Sequence, residues 1–123
     1  MPNEQQAELF SYIDKIVEST RGGKMVWVKA NPTTFTWMSP RGRMVLQRLD
    51  GQRRVVRNNI TQIVTAPHYI LSAFEHPQVQ LARLTINGAE NEEINVKLES
   101  LYNAIISLVD KTGLDFLKSL LPP

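Results

Sequence analysis

The sequence contains no cysteine, and this absence excludes disulfide bonds and thiolate chemistry. The composition agrees with a reducing compartment. Residues 1–6 are polar and acidic, unlike the basic and then apolar start of a signal peptide. The chain also lacks any apolar run near the roughly 20 residues that cross a bilayer. We therefore expect a soluble cytoplasmic protein that does not associate with membranes.

The short motifs that carry catalysis or bind metals are absent as well. The sequence has no Gly-x-Ser-x-Gly elbow and no glycine-rich loop that joins a strand to a helix. Its two histidines, His68 and His76, are eight residues apart, whereas the histidines of a helical zinc pair are four apart. We predict no catalytic residue, no metal site, no cofactor and no small-molecule ligand. An active site assembled from dispersed residues is the third-ranked alternative.

The length of 123 residues predicts a single domain that spans residues 1–123 and buries about two-thirds of its unfolded surface. Its first predicted element is a helix over residues 4–19, with Asn3 as a candidate N-cap. The pair Gly22-Gly23 ends this helix, since glycine accepts the left-handed backbone found beyond a helix. Apolar residues recur on one helical stripe at Leu9, Phe10, Ile13, Ile16 and Val17.

A four-stranded antiparallel meander is predicted next. Proline and glycine mark its turns, and Asp50-Gly51 is the strongest hairpin signal among them. Connections this short require antiparallel neighbours, because a parallel return needs a dozen residues or more. The four predicted strands cover residues 24–30, 34–38, 43–49 and 52–57.

The middle of the chain is more ambiguous. Residues 69–74 form a short apolar run that suits either a strand or a helix, and we favour a strand. The alternative is a helix over residues 66–75. Alternating side chains then predict a further strand over residues 79–86.

The C-terminal part of the sequence is helical by pattern. Asn91 is a candidate N-cap, and apolar residues follow at spacings of three and four. Gly113 is expected to end this helix, and residues 114–121 to form a second, shorter one. The elements together predict an α+β fold with an N-terminal helix, an antiparallel meander of about five or six strands, and two C-terminal helices packed on one face. The apolar stripe consists of Ile94, Leu98, Leu101, Ile105 and Leu108.

Positive charge is concentrated in residues 24–57, which hold eight basic residues and one acidic residue, a net charge of +7. Both flanking segments are acidic. Such a segment suits the phosphates of a nucleic acid, although edge strands also carry exposed cations that prevent edge-to-edge pairing. Our candidates for electrostatic contact are Arg41, Arg43, Arg53, Arg54 and Arg57. The aromatic residues of the same segment, Trp27, Phe35 and Trp37, are expected in the core.

The C-terminal helices hold more apolar residues than a single face against one sheet requires. A helix that is apolar on more than one side needs cover on more than one side. Either the N-terminal helix supplies that cover or a second copy of the chain does. Leu117, Leu120 and Leu121 are the candidates for an apolar interface.

The sequence therefore predicts a non-catalytic protein that acts by association, as a homodimer or in a small assembly with another protein. The alternative function is a nucleic-acid-binding module that uses the basic meander of residues 24–57.

Overall fold

The computed structural model describes residues 4–76 and 80–122, with the side chain of Arg53 excluded. Two helices and five strands are found in these residues. In chain order they are α1 (Glu4–Arg21), β1 (Val28–Asn31), β2 (Thr34–Ser39), β3 (Gly42–Arg57), β4 (Ile60–Phe74), β5 (Leu84–Asn87), a 3₁₀ turn (Gly88–Glu90) and α2 (Glu92–Leu120).

The strands form one antiparallel sheet in the order β1-β2-β3-β4-β5, so each strand pairs with its neighbours in the sequence. Phe35 pairs with Leu46, and Leu46 pairs with Leu71, which places these three side chains on one face. The two helices pack on that face and contact each other. The predicted α+β class, N-terminal helix and antiparallel meander are confirmed.

The core lies between this sheet face and the two helices. Ile13 of α1 and Leu98, Leu101 and Ile105 of α2 are almost completely buried there. The ring of Phe35 meets the ring of Tyr102 edge to face, with 5.5 Å between the ring centroids. Phe35 and Trp27 are buried, as predicted, and Trp37 packs against the core while remaining partly exposed.

The N-terminal helix follows the prediction closely. Glycine ends it in the expected manner, since Gly23 has a φ of 77° just beyond Arg21. Near its end, the buried Thr20 hydroxyl accepts a hydrogen bond of 3.0 Å from the indole nitrogen of Trp27. The strand predicted over residues 24–30 begins later, at Val28. The candidate cap Asn3 lies outside the described residues.

The prediction of a hairpin at Asp50-Gly51 is wrong. Both residues lie inside β3, where Asp50 pairs with Pro67 and Gly51 with Ala66. The turn is at Asn58-Asn59, whose φ values of 51° and 62° match a type I′ hairpin turn. A Cβ at position 51 would lie 2.9 Å from Nδ1 of His68, so a larger residue there would displace the His68 side chain.

The prediction of two C-terminal helices is also wrong, because α2 continues through Gly113 to Leu120. A glycine inside a helix costs about 1 kcal/mol but does not end the helix on its own. The Thr112 hydroxyl donates a hydrogen bond of 2.9 Å to the Leu108 carbonyl, which is still helical backbone. The predicted cap is confirmed, since the Asn91 side chain accepts a hydrogen bond from the Ile94 N–H.

The remaining strands differ in length from the predictions. The strand predicted over residues 69–74 is confirmed as the end of β4, so the helical alternative is wrong. The strand predicted over residues 79–86 is wrong in extent, because β5 runs from Leu84 to Asn87. Val79 itself lies outside the described residues.

Candidate association surfaces

The last part of α2 projects beyond the rest of the fold. Every residue from position 110 to 121 is exposed, and we call this segment the C-terminal extension. The path of α2 explains the exposure: Asn95 contacts β4, Tyr102 contacts β2, and the helix then passes the β1 side of the sheet. Five large apolar side chains of the extension are 53–65% exposed, namely Leu114, Phe116, Leu117, Leu120 and Leu121.

These five side chains form one broad face of the helix. Leu114, Leu117 and Leu121 recur at spacings of three and four, and Phe116 and Leu120 form a parallel row beside them. The predicted interface residues are therefore brought together on one surface. A contiguous apolar patch exposed on a protein surface usually marks a site where a partner binds.

An apolar groove lies directly beside the extension. It is formed by residues 25–29 on one side and by Ile105, Leu108 and Val109 of α2 on the other, with a volume of about 390 Å³. Val26 and Val28 on its rim are 72% and 66% exposed. The exposure of these two valines was not predicted from the sequence, because an apolar strand start is ordinarily assigned to the core.

A second projection is formed by the distal halves of β3 and β4. We call residues 52–65 the β arm. Its two strands pair with each other from Gln52 opposite Thr65 to Arg57 opposite Ile60, a length of roughly 20 Å. The described side chains of the arm, which do not include Arg53, are exposed on both faces apart from the partly buried Val55. Because an isolated pair of strands is rarely stable, the arm depends on its continuity with the paired strands β3 and β4 of the body.

The predicted electrostatic residues fall into two groups instead of one patch. Arg53, Arg54 and Arg57 lie on the β arm, whereas Arg41 lies in the turn between β2 and β3 and Arg43 at the start of β3. Arg43 and Arg57 are 14 residues apart on one strand, which is roughly 45 Å. A single small ligand cannot contact both groups.

The two groups also differ in their surroundings. The guanidinium of Arg43 lies over the ring of Phe74, 4.0 Å from its centroid, and this contact holds the side chain against the sheet. Arg54 and Arg57 are exposed, and they occupy register positions opposite Ile63 and Ile60. Alternation along the strand places these two on opposite faces of the arm.

A cleft of about 520 Å³ with both polar and apolar lining lies between the base of the β arm, the 3₁₀ turn and the start of α2. Asn95 organises it, because its side-chain oxygen accepts a hydrogen bond of 3.0 Å from the Tyr69 N–H and its amide donates one of 3.2 Å to the Pro67 carbonyl. Burial raises the pKa of the adjacent Tyr69 phenol, and the Glu99 carboxylate raises it further. These contacts account for the cleft as a structural joint.

Clusters of metal-ligating side chains are not found in the described part of the chain. Its His, Asp and Glu residues form no group of three or more that could hold a metal ion. Its helices are too short or too polar to cross a membrane. No protein-family model matches the chain, and comparisons with curated proteins and with solved structures find no match.

Proposed function

We propose that the protein is a non-catalytic association module that functions as a homodimer joined through the C-terminal extensions of α2. The observation that supports this most strongly is the row of five exposed apolar side chains on the extension. Within residues 4–76 and 80–122, no other element covers them. Water is a poor environment for such a helix, because short isolated helices are marginal without packing.

The magnitude of the burial favours a contact that uses both extensions. Full burial of a large apolar side chain contributes about 1.5–3 kcal/mol, so five that are half to two-thirds exposed would contribute roughly 5–9 kcal/mol in each copy. Association itself costs about 4–15 kcal/mol. One extension is therefore marginal, whereas two extensions buried in the same contact exceed most of that range.

Two-fold symmetry gives this contact a self-complementary form. In an antiparallel arrangement centred near Gly113, the extension of each copy reaches the groove beside β1 in the other copy. Gly113 has no neighbouring atom within 4 Å of a built Cβ, so its surface is open to close approach by a partner helix. Extension and groove together bring the contact toward the roughly 800 Å² per partner of a stable interface.

Sedimentation velocity over a concentration series tests the proposal. We expect the wild-type chain to sediment as a dimer at micromolar concentrations and Leu117→Asp to sediment as a monomer, because the substitution places a charge in the buried face. Ser119→Asp is the matched control. It adds the same charge two residues away, on the opposite side of the helix, and should remain dimeric.

The fold of the variants is checked by NMR, in which the ring signals of Phe35, Tyr69 and Tyr102 in the core should keep their wild-type positions. A wild-type chain that stays monomeric at high micromolar concentration would overturn the homodimer. A Leu117→Asp variant as dimeric as Ser119→Asp would place the interface elsewhere.

A further inference from the structure

The β arm has a composition unlike that of the rest of the chain. Its 14 residues comprise three Arg, two Asn, two Gln, two Thr, three Val and two Ile. Acidic residues are absent from the whole sequence between positions 51 and 74. The arm is therefore a projecting ribbon with a charge of +3 whose polar side chains are the types that contact phosphates and base edges.

We propose that the β arm binds double-stranded DNA by inserting into the major groove. The partner must be anionic, because the charge of the arm is entirely positive and Arg54 and Arg57 are exposed on its two faces. When the arm lies in the groove, the cations on its two faces can reach phosphates of the two DNA strands that border the groove. A flat acidic protein surface would contact only one face.

The dimensions and the composition select the kind of nucleic acid. A two-stranded ribbon fits the major groove of B-form DNA, which is about 12 Å wide. The major groove of an RNA duplex is too narrow and deep for it. Single strands are commonly held by aromatic rings that stack on the bases, and the arm has no aromatic residue.

The tip of the arm suits the floor of a groove. Asn58 and Asn59 form the turn in left-handed conformations, so two amide side chains are at the most distant point of the ribbon. Asparagine and glutamine are the residues that pair with adenine in the major groove. Ile60 and Ile63 are each more than 60% exposed and provide apolar contact for thymine methyl groups.

This binding does not depend on the proposed dimer. The base of the arm lies beside the start of α2, whereas the extension is the last part of that helix and lies beyond β1. The monomeric Leu117→Asp variant should therefore still bind DNA through a single arm. Failure of the dimer and failure of DNA binding are separate results.

Fluorescence anisotropy with a labelled DNA duplex tests the inference. The double variant Arg54→Ala/Arg57→Ala should bind at least tenfold more weakly than wild type at low salt. Lys15→Ala/Arg21→Ala is the matched control, because it removes the same charge from two exposed side chains of α1, away from both the arm and the groove, and should bind within about twofold of wild type. The salt dependence of DNA binding gives a second test, measured on the monomeric Leu117→Asp variant so that only one arm binds. Two arginine–phosphate contacts, from Arg54 and Arg57, predict a logarithmic slope of about −1.8, or roughly a 12-fold loss of affinity for a fourfold rise in salt.

Competition identifies the partner class, with single-stranded DNA, duplex RNA and polyglutamate as competitors. Duplex DNA should compete best. The inference is overturned if wild type does not bind duplex DNA at low salt, or if the arm and control double variants lose equal affinity. Stronger competition by single strands, duplex RNA or polyglutamate would also overturn it.

Discussion

At the scale of single residues, Asn95 has the clearest structural role in the chain. Its amide group bonds to both the Tyr69 N–H and the Pro67 carbonyl, and so ties α2 to β4 at the base of the β arm. Gly88 packs so closely against the Asn95 side chain that no Cβ fits there. The joint therefore depends on two residues whose chemical character cannot be exchanged.

Asn95→Ala should lower the free energy of unfolding by about 2 kcal/mol, because it removes two hydrogen bonds and leaves partly buried backbone groups unpaired. Urea denaturation followed by the fluorescence of Trp27 and Trp37 measures the change. Asn103→Ala, on the exposed side of the same helix, is the control and should change stability by less than about 0.5 kcal/mol. Equal stability of the two variants would contradict this role for Asn95.

At the scale of elements, Gly113 is the informative position. It lies inside the continuous α2 at a point where the body of the protein has ended. The helix therefore passes its weakest residue without support from the sheet. Its continuity beyond that point depends on local helix propensity and, in the proposed dimer, on the partner.

Gly113→Ala should increase the helix content of the monomeric Leu117→Asp variant, since alanine favours a helix by about 1 kcal/mol over glycine. Far-UV circular dichroism should show more helix, and the urea midpoint of the body should not move, because the extension has no contact with the core. A shift in the urea midpoint without a gain in helix content would be inconsistent with an independent extension.

The elements that the sequence predicted are those with a periodic apolar stripe. Leu9 to Val17 in α1 and Ile94 to Leu108 in α2 repeat often enough to determine type and face. The hairpin predicted at Asp50-Gly51 was wrong because strand pairing on both sides of these residues overrides their strong local turn signal. The Asn58-Asn59 turn had a readable signal, two residues that tolerate left-handed backbone between β-branched runs, but its partner strand was not identified from the sequence.

The surfaces were less predictable than the elements. Leu117, Leu120 and Leu121 follow from an excess of apolar residues, which the sequence displays directly. The separation of Arg41 and Arg43 from the arm arginines depends on the length of β3, which the misplaced hairpin had halved. Exposure of Val26 and Val28 depends on where β1 lies relative to α2, and no local pattern specifies that.

At the scale of the whole molecule, the fold is a compact two-layer body with two projections of different chemistry. The C-terminal extension is apolar and leaves beyond β1, and the β arm is basic and leaves beyond the centre of the sheet. The helical layer is acidic by comparison, since α1 alone holds four acidic and two basic residues. In the proposed dimer, the extensions are buried at the centre and the two arms remain free on the outside.

The dimer can be tested directly because the chain has no cysteine of its own. Gly113→Cys places one thiol near the proposed two-fold axis, where the Cα atoms of a disulfide must lie within about 7 Å of each other. Ser11→Cys, on the exposed side of α1, is the control. Mild oxidation of the Gly113→Cys variant should give a covalent dimer on non-reducing electrophoresis. The Ser11→Cys variant should form no covalent dimer and should migrate as a single chain on the same gel. Equal yields of covalent dimer from both variants, or none from Gly113→Cys, would contradict the proposed pairing of the two extensions.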